Sequence, residues 1–475
     1  MEFKPLRFSA ATTADRLLPQ GLADRVRPLM GKVDALLFSP GDRAEAGRIS
    51  IIAFVIRVVS AVIAFASQVF LARWMGSFDY GIFVLVWVTM VIVGNLSCLG
   101  FHTSIIRFIP EYREKGEFDE LRGIMLASRL FVLIASTVIA AIGAGVILLL
   151  ADRIESYYVI PFLIGILCLP MIALSDVVQG ISRANSWAIS ALSPTYLVRP
   201  VLIMAFMAMA LWLDYPPTAT TALMAAVAAT YVTTLWQLIT VTTRAERRIE
   251  KGPHTTDMRG WIIVSLPIFL IEGFAFLLTN ADVLMVGLYL SPHDVAVYYA
   301  TVKTLALVHF VYFAVKAGVA ARYAQFTHGG ETEKLGDFAR ETVSWTFWPS
   351  LAMALVVLAI GQPMLTLFGP GFEEGYPYLF LLVVGVVARA SVGPAESLLT
   401  MSGNQNVCAV VYGFTLALNV GLNVLLIPYL GLWGAAVATA LAMSFEAVAL
   451  SVTVWRRLGI VMTIFAPRRA VRETI

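Results

Sequence analysis

Apolar residues run along this chain in blocks of twenty or more, separated by short polar stretches. A helix crossing the hydrocarbon core of a bilayer needs about 20 mostly apolar residues. Blocks of that length fall near 48–72, 81–105, 127–150, 157–181, 187–213, 218–242, 260–288, 295–321, 344–366, 376–400, 407–429 and 431–455. The pattern predicts an all-α membrane protein with about twelve crossings. Ahead of the first block, Leu22, Val26, Leu29, Met30, Val33, Leu36 and Leu37 recur at three- and four-residue steps, with Arg25, Arg27 and Lys32 on the rest of the surface. This predicts an amphipathic helix lying on the inner leaflet, interrupted by Pro28. Residues 1–47 are read as a cytoplasmic leader; they lack the short apolar core and cleavage site of a secretory signal.

The polar stretches differ from one another in charge. Arg107, Arg113, Lys115 and Arg122 follow the second block, and Arg244, Arg247, Arg248, Lys251 and Arg259 follow the sixth. Arg322, Lys334 and Arg340 follow the eighth, and the tail carries Arg456, Arg457, Arg468, Arg469 and Arg472. The alternate loops hold only Arg73 and Arg153 as clear basic residues. Because Lys and Arg accumulate on the cytoplasmic side, both termini are expected there, which requires an even number of crossings.

The two halves also echo each other. Met75-Gly76-Ser77-Phe78-Asp79-Tyr80-Gly81-Ile82-Phe83 after the first block matches Leu290-Ser291-Pro292-His293-Asp294-Val295-Ala296-Val297-Tyr298 after the seventh. Asp176, six residues before Ser182, matches Glu396, six before Ser402, and Ala225–Ala228 matches Ala435–Ala438. The shared offset of roughly 210–220 residues predicts a duplicated six-helix unit. The lobes are expected at 48–255 and 256–455, followed by a basic tail at 456–475. An even number of spans per unit relates the lobes by an axis along the membrane normal and leaves a cavity between them, so alternating access by rocking is expected.

Composition supports the membrane reading. Apolar residues make up 59% of the 475 residues and charged residues 14%, far from the ordinary soluble balance, and the mean hydropathy is +0.81. A net charge of +3 gives no reason to expect nucleic acid. Cys98, Cys168 and Cys408 lie within apolar blocks without metal-ligand spacing and read as buried thiols.

Ionisable residues inside spans cost about 2.5–3.5 kcal/mol each and therefore point to function. Arg57, Arg199, Lys303 and Arg389 lie at such depths. They suit an anionic head group: Arg forms bidentate hydrogen bonds with phosphate, and Lys acts as a point charge. Glu272, Asp282, Glu396 and Asp176 are the carboxylates that could carry a coupling ion, H+ or Na+. Each residue also has a plainer reading. Asp176, Glu396 and Lys316 could reach the interface, Arg199 could pair with a carbonyl freed by Pro200, and Arg389 or Lys303 could pair with Glu272 or Glu446. Asn419 and Asn423 read as interhelical hydrogen-bonding residues.

No phosphate-binding Gly-x-x-x-x-Gly-Lys-Ser/Thr loop, His-Glu-x-x-His or paired Cys-x-x-Cys site occurs, so no enzyme, ATPase, metal centre or cofactor is expected. The sequence resembles the oligosaccharide flippases of the multidrug/oligosaccharidyl-lipid/polysaccharide exporter superfamily, related to O-antigen flippases. Four stretches carry the resemblance: Leu71–Phe83; Arg107-Phe108-Ile109-Pro110-Glu111-Tyr112; Asp282-Val283-Leu284-Met285-Val286-Gly287; and Leu422–Pro428 with Gly431, Gly434, Ala435 and Ala436. The long leader departs from that family's usual short one. The resemblance implies movement of a polyprenyl-diphosphate-linked oligosaccharide across a bacterial cytoplasmic membrane, with membrane lipids and a polysaccharide polymerase or glycosyltransferases as partners. Competing readings are a cation-coupled multidrug exporter of the same fold, a lipid-II flippase, and a non-transporting scaffold for polysaccharide assembly. A general facilitator lacks support, because the loop after the second span has no Gly-x-x-x-Asp-Arg signature.

Overall fold

In the lipid interior every backbone N–H and C=O must find a partner within the chain, and long apolar blocks meet that demand as helices. The computed structural model describes residues 42–247, 249 and 251–465, with the side chains of 42–55, 57, 246, 317, 321 and 328 outside the description. The expected leader helix and the end of the basic tail thus lie outside the described residues. The described helices are α1 (Asp42–Ser97), α2 (Phe101–Lys115), α3 (Phe118–Leu149), α4 (Ser156–Ile166), α5 (Leu169–Ala184), α6 (Ala188–Ser193), α7 (Arg199–Trp212) and α8 (Ala219–Glu246). They continue as α9 (Met258–Tyr289), α10 (Pro292–His328), α11 (Thr332–Thr366), α12 (Tyr376–Ala390), α13 (Ala395–Met401), α14 (Gln405–Leu430) and α15 (Leu432–Leu458).

Among the described residues, 10 segments are long and apolar enough to cross a membrane, and the α4–α5 pair, bent by 42°, is an eleventh. The first segment, Val58–Lys115, contains 58 residues. At 1.5 Å per residue it would extend roughly 87 Å, so it must cross twice. The chain turns at Gly76, whose φ of 76° and ψ of 170° break an otherwise continuous helix. The count among the described residues is therefore twelve, as the apolar pattern predicts.

The helices differ from the sequence expectation at their ends. Arg107, Arg113, Lys115 and Arg122, expected in a loop, lie on α2 and at the start of α3. Pairs one turn apart sustain the polar helix there: Arg107 lies 3.6 Å from Glu111, and Lys115 donates to Glu111 at 2.8 Å. Two crossings are also interrupted. The fourth breaks between α4 and α5, and the tenth between α12 and α13, where Gly393 has a φ of 60°.

Each half holds six crossings in the same order, with the fourth one broken. The main packing between the halves joins α1 to α9 and α10, and α2 to α9. At the end bearing the Gly76 and Ser291 turns, a single core runs through both halves, with Tyr80, Phe83, Tyr298 and Phe372 almost fully buried. Gly81 abuts the Pro292 carbonyl so closely that a Cβ would overlap it. At the opposite end the core separates. One cluster gathers around Phe101, Ile105 and Val177, and another around Tyr323, Leu398 and Val454. One end of the bundle is thus closed, while at the other end two clusters stand apart, the first of them including Trp261 from the start of α9.

Candidate functional site

The seam between the halves is built where α10 faces the second arm of α1. The Tyr299 ring lies 6.4 Å from the Tyr80 ring across this seam. Lys303, one turn further along α10, places its ammonium 4.7 Å from the Tyr299 ring centre. Cation–π contact with an aromatic face is a weak counterpart for a charge held away from water. Among the described residues, Lys303 has no carboxylate within ion-pair distance. A cleft of about 540 Å3 at the closed end, which includes Arg73, Gly76 and Phe372 in its lining, does not include Lys303.

The other predicted cations have different surroundings. Arg389 ends α12 and faces its own half. Its guanidinium lies 3.1 Å from Glu446 of α15, 3.6 Å from Glu396 of α13 and 4.9 Å from the centre of the Tyr312 ring. Glu396 also accepts from Lys316 of α10 and from the Tyr412 hydroxyl of α14. Two cations and two carboxylates thus offset one another among four helices. The Glu446 contact is ionic without hydrogen-bond geometry, leaving both its carboxylate oxygens without a hydrogen-bond partner.

Arg199 follows the π-helical turn Pro194–Val198 and is 5% exposed. It donates to the Ser175 hydroxyl at 3.0 Å, Ser175 donates to Gln237 at 3.0 Å, and Gln237 donates to the Ser190 carbonyl at 3.1 Å. The Arg199 Nε has no partner among the described residues. Asp176, beside Ser175, accepts from Asn95 at 3.3 Å. Arg199 and Asp176 are within electrostatic reach of each other but do not form a close ion pair. The structure therefore groups Arg199 with Asp176 in one half and Arg389 with Glu396 in the other, with Lys303 apart at the seam. The Arg57 side chain lies outside the described residues.

Asp282 occupies a third setting. The carboxylate is 7% exposed and accepts from Asn423 at 3.2 Å and from Thr439 at 2.8 Å. Asn423 donates to Asn419 Oδ1 at 3.1 Å, and the Tyr298 hydroxyl lies 3.0 Å from that of Thr439. Asn423 Oδ1 is buried without a partner among the described residues. An amide N–H from α14 and a hydroxyl from α15 thus reach a carboxylate of α9 that has no ion pair among the described residues. A buried carboxylate held by neutral donors alone is a group on which a proton can reside. Among the described residues there is no cluster of three or more His, Cys, Asp or Glu able to hold a metal. The three cysteines are free and buried, as their apolar surroundings predict.

Glu272 lies on α9 where this helix touches α2. It accepts from Thr103 at 2.6 Å and sits 3.2 Å from His102 Nε2. His102 was not legible as a site residue. The available signal was a run of polar residues, His102, Thr103 and Ser104, closing an apolar block directly after Gly100. Tyr312 and Tyr412 gave no signal, because a tyrosine in an apolar helix looks the same whether it packs or donates.

The model of the polysaccharide biosynthesis protein family matches residues 47–320, more than half of the chain, and the MatE model matches 267–425. No curated protein matches the chain. Among solved structures, an inward-facing multidrug resistance MATE transporter of the MOP superfamily is 14% identical, with a TM-score of 0.68, over 86% of this chain and 98% of that one. The lipid II flippase MurJ in an inward closed conformation is 13% identical, with a TM-score of 0.67, over 85% and 87%. A MOP superfamily transporter from Pyrococcus furiosus, described as having a binding pocket of reverse polarity, is 16% identical, with a TM-score of 0.63, over 90% and 97%. At these identities the likeness is one of fold.

Proposed function

We propose that this chain, which belongs to the polysaccharide biosynthesis protein family, flips a polyprenyl-diphosphate-linked oligosaccharide across a bacterial cytoplasmic membrane by alternating access of its two halves. It is a multi-pass membrane protein with the fold of the MOP superfamily transporters. The observation that carries the substrate reading is Lys303, a cation at the seam between the halves with no carboxylate partner among the described residues. A diphosphate entering the seam would supply the missing counter-charge, with Arg57 as a second cation, while the lipid tail remains in the bilayer. Arg389 and Arg199, engaged within their own halves, serve the site by holding helices in place.

Both termini are assigned to the cytoplasm from the Lys/Arg bias, which makes the end with separate cores the cytoplasmic one. A coupling cation, H+ or Na+, is assigned to the Asp282 carboxylate, whose partners are neutral. A polysaccharide polymerase or glycosyltransferases would deliver or receive the lipid-linked glycan. The MatE match over 267–425 supports a second reading, a cation-coupled drug exporter. Deleting the gene and extracting lipids separates the two. The flippase reading expects lipid-linked oligosaccharide trapped on the inner leaflet, and failure of Lys303→Gln to restore surface polysaccharide at normal protein abundance. Raised sensitivity to cationic drugs without a trapped intermediate would favour the exporter.

A further inference from the structure

At the end of the bundle where the cores separate, the two halves are joined by a narrow contact between α2 and α9. Gly100, with a φ of 82°, brings the start of α2 against the Ser265 carbonyl, leaving no room for a Cβ. Ser104 and Ser265 share a hydrogen bond of 2.6 Å, and Trp261 donates to Tyr112 at 2.8 Å. Further along α9, Glu272 accepts from Thr103 at 2.6 Å and lies 3.2 Å from His102 Nε2. On its other side α2 packs on α5, where Gly180 meets the His102 carbonyl. The His102 backbone is thus clasped between two helices, and its ring lies between the halves.

The ring is chemically incomplete. Nδ1 is buried without a hydrogen-bond partner among the described residues. The His102 side chain is 15% exposed, whereas Glu272 is 42% exposed. The charged and titratable groups around the pair are Glu272 on α9, Asp176 and Arg183 on α5, and the buried Cys98 thiol beside α5. Glu272 of the other half thus contacts the imidazole, and Asp176 lies within electrostatic reach of it. A neutral ring donates to Glu272 through Nε2 and leaves Nδ1 empty; a proton on Nδ1 creates an imidazolium beside Glu272.

We infer that His102 is a positioning residue for the transport cycle: its protonation turns the hydrogen bond to Glu272 into an ion pair that strengthens the tie of α2 to α9 and favours the halves held together at this end, and its deprotonation weakens that tie. The inference rests on the rocking motion proposed above but not on the identity of the cargo. Histidine is suited to this role, because its charge changes within the range of cellular pH.

The test uses the full chain in lipid nanodiscs without substrate, spin-labelled at Arg107→Cys on α2 and Lys334→Cys on α11. Both positions are exposed, and the native cysteines are buried. The separation between labels should shorten as pH falls from about 8 to about 5. His102→Gln should flatten this profile, and Glu272→Gln, which keeps the ring, should flatten it too. Thr103→Val removes only the neutral hydrogen bond and should leave the midpoint in place. A wild-type separation independent of pH, or an unchanged profile in His102→Gln, would overturn the inference. Because no cargo is present, either outcome leaves the flippase reading to its own lipid-extraction test.

Discussion

Arg389 and Glu446 show how the membrane interior treats single charges. Glu446 is 1% exposed and its cationic neighbour is Arg389, so removing that neighbour strands a carboxylate away from water. Arg389→Met should lower stability by about 3–5 kcal/mol, whereas Arg389→Met combined with Glu446→Leu should recover most of the loss. Reversible unfolding in detergent would measure both; equal losses in the single and double variants would show that the pair is immaterial. Asp282 is a different case, since its partners are neutral. Asp282→Asn should remove coupling, so that lipid flipping in proteoliposomes no longer responds to an imposed H+ or Na+ gradient. Retained acceleration by either gradient would place the coupling ion elsewhere. These charges were visible in the sequence as polar residues inside apolar blocks. Their pairing was not, because Arg389, Glu396 and Glu446 come together from three helices and no local pattern records which faces meet.

Helix breaks carry the information at the scale of elements. Gly76 adopts a φ of 76° with a ψ of 170°, a region that a side chain disfavours strongly. Gly76→Ala should cost about 1–3 kcal/mol, read as a lower thermal midpoint in detergent, although no atom crowds the position. An unchanged midpoint would mean that the turn relaxes into another conformation. The turn was legible because Gly76 sits among Ser77, Asp79 and Gly81 between two apolar blocks. The break between α4 and α5 was not, because Leu167 and Cys168 are as apolar as their neighbours and lipid-facing sequence looks alike on either side. The π-helical turn Pro194–Val198 ahead of Arg199 is a similar case. It lies between Pro194 and Pro200, and an α-helix cannot keep its regular hydrogen bonds near a proline ring.

The whole molecule is held asymmetrically, sharing one core at the closed end and dividing into two at the other. At the closed end, His293 of α10 lies 2.8 Å from Ser77, and Arg73 donates to the Leu367 carbonyl at 2.6 Å, so both contacts cross from one half to the other. If the halves rock, these contacts must part in each cycle. Ser77→Cys with His293→Cys, joined by an oxidant or a short bifunctional reagent, should arrest flipping, and reduction should restore it. Full activity of the joined protein would exclude separation at this end.

Sequence alone determined the membrane, the number of crossings and the duplicated order of the helices. Each of these follows from a local rule: the bilayer thickness sets block length, and the backbone's need for partners imposes helices. Only the tertiary structure decided which charges neutralise one another, that Lys303 stands apart at the seam, and that His102 joins the halves. A charge in a span declares its cost locally, but its compensation comes from helices far along the chain, whose facing surfaces are set by packing.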